Sequence, residues 1–120
     1  MKLPRRLTLN QRSDFQAVRE SGQSASGRFL VLATREVPDL EEWRYAIITT
    51  RKAGKAHERN QIRRLVRSIL VEEGEGLAKD RHYVFIARWQ AKNASQADLK
   101  KDFLRVARKL KVLAEPNSGR

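Results

Sequence analysis

A group of polar and cationic side chains between residues 59 and 67 is suited to binding phosphate. Arginine dominates it, and each guanidinium presents a planar set of N–H donors that fits phosphate oxygens and base edges and also stacks on unpaired bases. The preceding segment adds cations near the expected start of a helix, where backbone N–H groups also attract phosphate. The candidate nucleic-acid-binding residues are Arg51, Lys52, Lys55, Arg59, Asn60, Arg63, Arg64 and Arg67.

The helix that positions these side chains is predicted by apolar residues with the i, i+3, i+4, i+7, i+8 spacing of one buried stripe. They are Ile62, Leu65, Val66, Ile69 and Leu70. At about 100° per residue, the arginines fall on the opposite side. A solvated face is the alternative, but such faces usually mix charges to gain i,i+4 ion pairs. Glu58 is the one acid between residues 51 and 67, so the like-charged neighbours favour a polyanion partner.

No set of residues typical of a catalytic site is found. The histidines, His57 and His82, have no acid at a recognisable spacing, and the acids are too scattered to hold the paired metals of a metal nuclease. Glu58 beside His57 is better explained by its favourable place at the positive end of a helix. The chain has no cysteine, which excludes disulfides and thiolate metal sites. We expect no catalytic residue and no metal ligand.

The charge of the whole chain agrees with a polyanion partner. Its 120 residues contain 26 lysines and arginines against 14 acids, a net charge of +12, and nucleic acid is the commonest partner of such a domain. The cations concentrate in residues 1–12, 51–67 and 99–111. A membrane surface is the weaker alternative. We expect neither a signal peptide nor a membrane span, because no apolar run approaches about 20 residues. The lack of cysteine fits a reducing cytoplasm.

The first half of the chain predicts one short helix and two strands. Asn10 is the expected N-cap of the helix and Gly22 its expected end. Residues 22–27 are rich in serine and glycine and predict a loop. Residues 29–34 and 43–50 predict strands joined as an antiparallel hairpin, and one more strand in this region is left open.

The second half predicts the basic helix, one strand and a last helix. Gly74 and Gly76 end the basic helix. Residues 83–87 are apolar on both faces, as expected of a central strand. Ser95 and Asp98 have the spacing of a capping box, which opens the last helix.

The order of these elements, α, β, β, α, β, α, predicts an α+β fold in which helices pack on a small mixed sheet. The length predicts a single RNA-binding domain over residues 1–115, followed by a flexible tail at residues 116–120.

The segment from 51 to 67 resembles the signature of the bacterial ribonuclease P protein family. The matching positions are a basic pair, a glycine, an Arg-Asn pair, a second basic pair and a last arginine: Arg51-Lys52, Gly54, Arg59-Asn60, Arg63-Arg64 and Arg67. Gln61 stands where the family usually has arginine. The flanks resemble the family too, including the first helix and the strand around residues 83–88, so the resemblance covers about residues 5–110.

The resemblance implies a fold like that of a ribosomal protein domain, with the basic helix in a left-handed βαβ crossover. It also implies two RNA surfaces. The basic helix and its loop bind the catalytic RNA, and a cleft between the first helix and the sheet binds the single-stranded 5′ leader of precursor tRNA. The leader-binding residues it implies are Phe15, Arg19 and Arg28.

The sequence leaves two questions about how this cleft binds the leader. Phe15 would stack on a base, although an aromatic residue on a short helix more often lies in the core. Arg19 and Ala33 stand where the family often has aromatic residues, which favours a cleft that binds the leader more by charge than by stacking.

The resemblance implies that the chemistry belongs to Mg²⁺ held by the RNA subunit. The chain would be an accessory subunit of a cytoplasmic endoribonuclease that matures the 5′ end of tRNA. Its partners would be ribonuclease P RNA and precursor tRNA, with no membrane and no obligate protein partner. A ribosome-associated RNA-binding module and a stand-alone nuclease are alternatives. A helix-turn-helix DNA reader is less favoured, because no partner helix precedes the basic helix.

Overall fold

The structure is a computed structural model that describes residues 3–113. It has the predicted α+β class, and the tail expected at 116–120 lies outside the described residues. The helices are α1 (Arg12–Ser21), α2 (Ala56–Glu73) and α3 (Gln96–Lys109). The strands are β1 (Gln23–Ser26), β2 (Leu30–Glu36), β3 (Arg44–Ile48) and β4 (Arg81–Ala87). Short 3-10 turns lie at Arg5–Leu7, Arg51–Ala53, Gly74–Gly76 and Trp89–Asn93.

The four strands form one sheet in the order β1-β2-β4-β3. Strand β4 runs antiparallel to β2 and parallel to β3, so its predicted central position is confirmed. The hairpin predicted between residues 29–34 and 43–50 is wrong, because β4 lies between these two strands. The connection at residues 37–43 is long enough to pass over one strand, since neighbouring strands lie about 4.8 Å apart. Strand β4 takes the inner place because both of its faces are apolar.

The hairpin of this sheet lies earlier in the chain, between β1 and β2, where Ala25 pairs with Leu32. The loop predicted for residues 22–27 is therefore wrong for most of its length. An edge strand buries only one face, and in β1 the single buried residue is Ala25. The other residues of β1 are exposed and polar, so the strand has the amino-acid composition of a loop.

One face of the sheet carries the main core. Helix α2 crosses over this face to connect β3 with β4, its parallel neighbour, and α3 packs beside α2. Ile62, Val66 and Ile69 of α2 are buried here, as their spacing predicted. The rings of Phe85 in β4 and Phe103 in α3 lie 5.7 Å apart between centroids. Burial of this side fixes the opposite side of α2 toward solvent.

The other face of the sheet is covered by α1. Val18 is buried against Ala46 and Val84, and Phe15 and Ile48 are partly buried at the edge of this smaller cluster. Because α1 has only ten residues, it covers part of the face and leaves grooves beside it.

The helix ends agree with the sequence in all but one case. Helix α1 begins after Gln11, which is extended, rather than after the predicted Asn10, and it ends at Gly22. Gly74 follows the last residue of α2. The capping box of α3 is confirmed: the Asp98 N–H donates to Ser95 Oγ at 3.1 Å, and the Ser95 N–H donates to Asp98 Oδ2 at 3.2 Å.

Candidate nucleic-acid interface

The outer side of α2 presents arginines to solvent. Arg64 and Arg67 are exposed, and Arg63 is half-buried with its Nη1 donating to Asn60 Oδ1 at 3.0 Å. Ion pairs in residues 3–113 involve Arg6, Lys92 and Lys100, and none involves an arginine of α2. The positive charge of this side is therefore not neutralised by carboxylates of the described chain, as the lack of acids predicted.

Arg59 differs from the other arginines of α2. It is half-buried, and its Nε is enclosed without a hydrogen-bond partner in the described part of the chain. Its border position on the helix explains this, since the side chain must cross part of the packed surface to reach solvent. Arg59 therefore combines a packing role with a charge near the surface.

The loop before α2 holds three exposed cations close to the start of the helix. They are Arg51, Lys52 and Lys55. The Glu58 carboxylate accepts the Lys55 N–H at 2.8 Å. This hydrogen bond, and to a lesser extent the nearby positive charge of Lys92, lowers the pKa of Glu58. Glu58 therefore stabilises the start of α2, in agreement with the interpretation made from its sequence position.

Gly54 allows the loop to turn into α2. Its φ is +121°, in the region that favours glycine. A Cβ atom at this position would lie 2.8 Å from Glu58 Oε1. The backbone therefore favours glycine at this position, and a larger residue would also have to displace the carboxylate that caps the helix.

A cleft of about 580 Å³ lies between α1 and the sheet. Phe15 lines it together with Ile48 and Val84, and Arg12 and Arg19 lie at its rim. Phe15 is only half-buried, so it both packs on the smaller cluster and presents part of its ring to the cleft. The floor is apolar and the rim is cationic, which suits an unpaired nucleic-acid strand.

A second groove, of about 1010 Å³, joins this cleft to α2. Phe15 and Ile48 line both the cleft and the groove. At its other side, the groove is lined by the α2 arginines Arg63, Arg64 and Arg67. The α2 arginines and the α1 cleft, which the sequence analysis expected to bind RNA, therefore adjoin at Phe15 and Ile48.

The N-terminal segment contributes to this groove, although we did not assign it to a site from the sequence. Arg5 and Thr8 line the groove. The Leu9 N–H donates to the Tyr45 carbonyl at 2.7 Å, and Thr8 forms a parallel bridge with Tyr45. These contacts hold the segment along β3. The available signal was the run of cations without an acid in residues 1–12.

Arg28 lies apart from Phe15 and Arg19. It follows β1, and its guanidinium carbon is 5.2 Å from the centre of the Phe29 ring. It lines a separate depression with Lys52. The structure therefore brings Phe15 and Arg19 together, as expected for the cleft, but places Arg28 beside the loop that precedes α2.

Two further observations concern the described residues. Within residues 3–113, no group of three or more histidine, cysteine, aspartate or glutamate side chains is placed to hold a metal ion. None of the helices in the same range is long and apolar enough to cross a membrane. What the arrangement offers is a connected surface of arginines, an aromatic ring and an apolar floor.

The chain is similar in sequence to proteins of one known family. The sequence model of the family described as Ribonuclease P matches residues 3–111. The Ribonuclease P protein component of Bacillus pumilus is 33% identical over 110 residues, which is 92% of each chain. That of Bacillus velezensis is 34% identical over 116 residues, covering 97% of this chain and 99% of the relative.

Comparison with solved structures also finds ribonuclease P proteins. The RNase P protein from Thermotoga maritima superposes with a TM-score of 0.74 at 26% identity, covering 87% of this chain and 94% of that one. The RNase P protein of Staphylococcus aureus has the same fold, with a TM-score of 0.81 at 24% identity and coverage of 89% and 97%. From the family match, the relatives above 30% identity and the shared fold, we conclude that the chain belongs to the bacterial ribonuclease P protein family.

Proposed function

We propose that this chain binds the ribonuclease P RNA and the 5′ leader of precursor tRNA, and so promotes Mg²⁺-dependent endonucleolytic removal of the leader. One observation carries the proposal. The exposed arginines of α2 and the cleft beside α1 are joined in one groove through Phe15. A single surface of this kind can contact a folded RNA on one side and an unpaired strand on the other.

The residues of α2 and its loop would contact the RNA subunit. Arg64 and Arg67 are exposed and without carboxylate partners in the described chain, so their guanidiniums are available for phosphate oxygens. Arg63 is oriented by its hydrogen bond to Asn60. Contacts with phosphates would hold the protein in register on the RNA and screen its negative charge.

The cleft beside α1 would hold the leader. The exposed part of the Phe15 ring offers a stacking surface for one base, and Arg12 and Arg19 at the rim would contact the phosphates that follow it. Holding the leader in a fixed place lowers the entropy that the cleavage step must lose. Mg²⁺ bound through the RNA subunit would supply the activation of water, and we assign no catalytic residue to the protein.

Reconstitution tests the proposal. The protein is added to a transcribed bacterial ribonuclease P RNA at a Mg²⁺ concentration at which the RNA alone is nearly inactive, and 5′-labelled precursor tRNA is the substrate. We expect rapid release of an intact leader only when both are present. Cleavage by the protein without the RNA would instead indicate a stand-alone nuclease. Absence of any stimulation, with the protein recovered on ribosomal RNA, would indicate the ribosome-associated module.

A further inference from the structure

Trp89 is unusual among the apolar side chains of this protein. It is 65% exposed, and among residues 3–113 it is the one large hydrophobic side chain in the exposed class. The other tryptophan, Trp43, is 8% exposed and donates from Nε1 to the Gly74 carbonyl. A single exposed apolar side chain is ordinary by itself. Whether Trp89 indicates a binding site therefore depends on the residues around it.

The backbone at Trp89 is held firmly in place. The Arg88 N–H donates to the Phe29 carbonyl at 2.8 Å, and Arg88 Nη1 donates to the Gly27 carbonyl at 3.2 Å. On the other side, Ala91 is buried, and its N–H donates to the Arg88 carbonyl at 3.0 Å. The indole ring is therefore presented to solvent from a fixed turn, which lowers the entropy cost when a ligand stacks on it.

The ring lies in a cationic setting. A depression of about 640 Å³ beside it is lined by Arg28, Phe29, Lys52 and Lys92. Arg28 lies over the Phe29 ring. Lys92 lies 3.7 Å from Glu58 and is partly neutralised by it.

One acid, Asp98, also lines the depression. Its carboxylate accepts the Ser95 N–H at the start of α3, so part of its hydrogen-bonding capacity is already used. Arg28 and Lys52 have no carboxylate partner in the described residues. The depression therefore combines stacking surfaces with available positive charge, which is the combination that binds unpaired nucleotides.

We propose that Trp89 is a stacking platform for one unpaired nucleotide of the ribonuclease P RNA, and that Arg28 and Lys52 contact the phosphates on either side of that nucleotide. The inference rests on the proposed function and adds a contact surface to it. It also gives Arg28, which lies outside the α1 cleft, a role on the RNA subunit.

The position of the depression indicates the RNA subunit rather than the leader. Lys52 belongs to the loop before α2, next to the arginines that would bind the RNA subunit. The depression shares no lining residue with the cleft between α1 and the sheet or with the groove that joins it to α2. Trp89 lines neither of the two grooves that Phe15 lines.

Equilibrium binding to a transcribed bacterial ribonuclease P RNA at several salt concentrations tests the inference. Trp89→Ala should weaken binding by roughly 5- to 150-fold, the range expected when one base no longer has an aromatic ring to stack on. Trp89→Phe should retain most of the affinity, because a smaller ring still stacks. The slope of log affinity against log salt should not change in either variant, because stacking releases no counterions. Thermal unfolding of both should match the parent protein, since the ring is exposed.

Tryptophan fluorescence gives a second measurement. Addition of the RNA should quench the tryptophan fluorescence of the parent protein. This quenching should be largely abolished in Trp89→Phe, because the remaining tryptophan, Trp43, is buried. Unchanged affinity and unchanged quenching in the Trp89 variants, with normal binding by the parent protein, would overturn the stacking platform and leave the proposed function intact. Weaker binding only of precursor tRNA to the assembled holoenzyme would overturn the choice of the RNA subunit. Failure of the parent protein to bind the RNA would contradict the proposed function itself.

Discussion

The carboxylate of Asp102 in α3 accepts the N–H of Leu30 in β2 at 2.8 Å, although the two residues are 72 positions apart. The same carboxylate accepts the N–H groups of Arg28 and Phe29 at 2.9 Å each. Asp102 is 4% exposed, so these bonds are shielded from water. A Cβ atom on Gly27 would overlap both carboxylate oxygens, which explains the glycine at this position. One side chain therefore ties the β1–β2 turn to the last helix.

The first prediction concerns the stability supplied by Asp102. Asp102→Ala should lower the free energy of unfolding by about 2–5 kcal/mol, because three N–H donors are deprived of a charged acceptor in a buried place. Urea unfolding of the purified protein measures this. Glu41→Ala, at an exposed acid in the β2–β3 connection, is the control and should change stability by no more than about 0.5 kcal/mol. Equal stability of the two variants would contradict the importance given to the carboxylate.

The second prediction concerns the charge of α2. Replacing Arg63, Arg64 and Arg67 together by alanine should weaken binding to the RNA subunit and make it less dependent on salt. For every phosphate that is no longer neutralised, the slope of log affinity against log salt should fall by about 0.9 on duplex-like RNA. The measurement is equilibrium binding at several salt concentrations.

A matched variant removes the same charge from another helix. Lys101, Arg105 and Arg108 are exposed on α3 and lie outside the grooves described for the site. Their triple alanine variant should bind the RNA subunit with nearly the parent slope. If both triple variants show the same decrease in slope, net charge rather than the α2 surface controls binding.

The third prediction separates the two roles of Phe15. Phe15→Leu keeps an apolar side chain against the smaller cluster but removes the ring. The melting temperature of this variant should be close to that of the parent protein. The holoenzyme assembled with it should bind precursor tRNA roughly 5- to 150-fold more weakly, as expected for the loss of one stacked base. Affinity for mature tRNA, which has no leader, should not change. A variant that melts lower yet binds precursor tRNA normally would show that Phe15 acts only in packing.

The fourth prediction concerns the loss of stability at acidic pH. Burial lowers the pKa of His82 below its ordinary value of 6.5; Asp14 partly opposes this, and Arg35 and Arg44 add to it. The unfolded chain therefore takes up a proton on this histidine near pH 6.5, and the folded protein does so only at lower pH. Stability should fall as the pH drops from about 6.5 through the folded pKa. Urea unfolding at several pH values should show a weaker acid dependence for His82→Gln, and an unchanged dependence would contradict this assignment.

The sequence predicted those parts of the fold and site that depend on local spacing. The stripe of Ile62, Val66 and Ile69 identified α2 and the solvent side of its arginines, and the spacing of Ser95 and Asp98 identified the start of α3. These features can be seen from the sequence because each depends on residues a few positions apart, which lie on one side of a helix.

Features that depend on distant residues were not predicted. Strand β1 has the composition of a loop, because only Ala25 needs to be buried. The separation of β2 and β3 by β4 depends on pairing across the whole chain. The place of Arg28 beside Lys52 follows from contacts between the β1–β2 turn, the loop before α2 and the turn at Trp89, and no short-range spacing records those contacts.

The order of the strands in the sheet also has a consequence for folding of the protein during its synthesis on the ribosome. Strands β2 and β3 are synthesised well before β4, the strand with which each of them pairs across the middle of the sheet. Tyr45 and Tyr83, for example, are register partners, and such separated contacts raise contact order and slow folding. A nascent polypeptide that ends before β4 already contains every arginine of α2 but lacks the complete sheet that orients them, so the RNA-binding surface that we propose would be complete only late in translation.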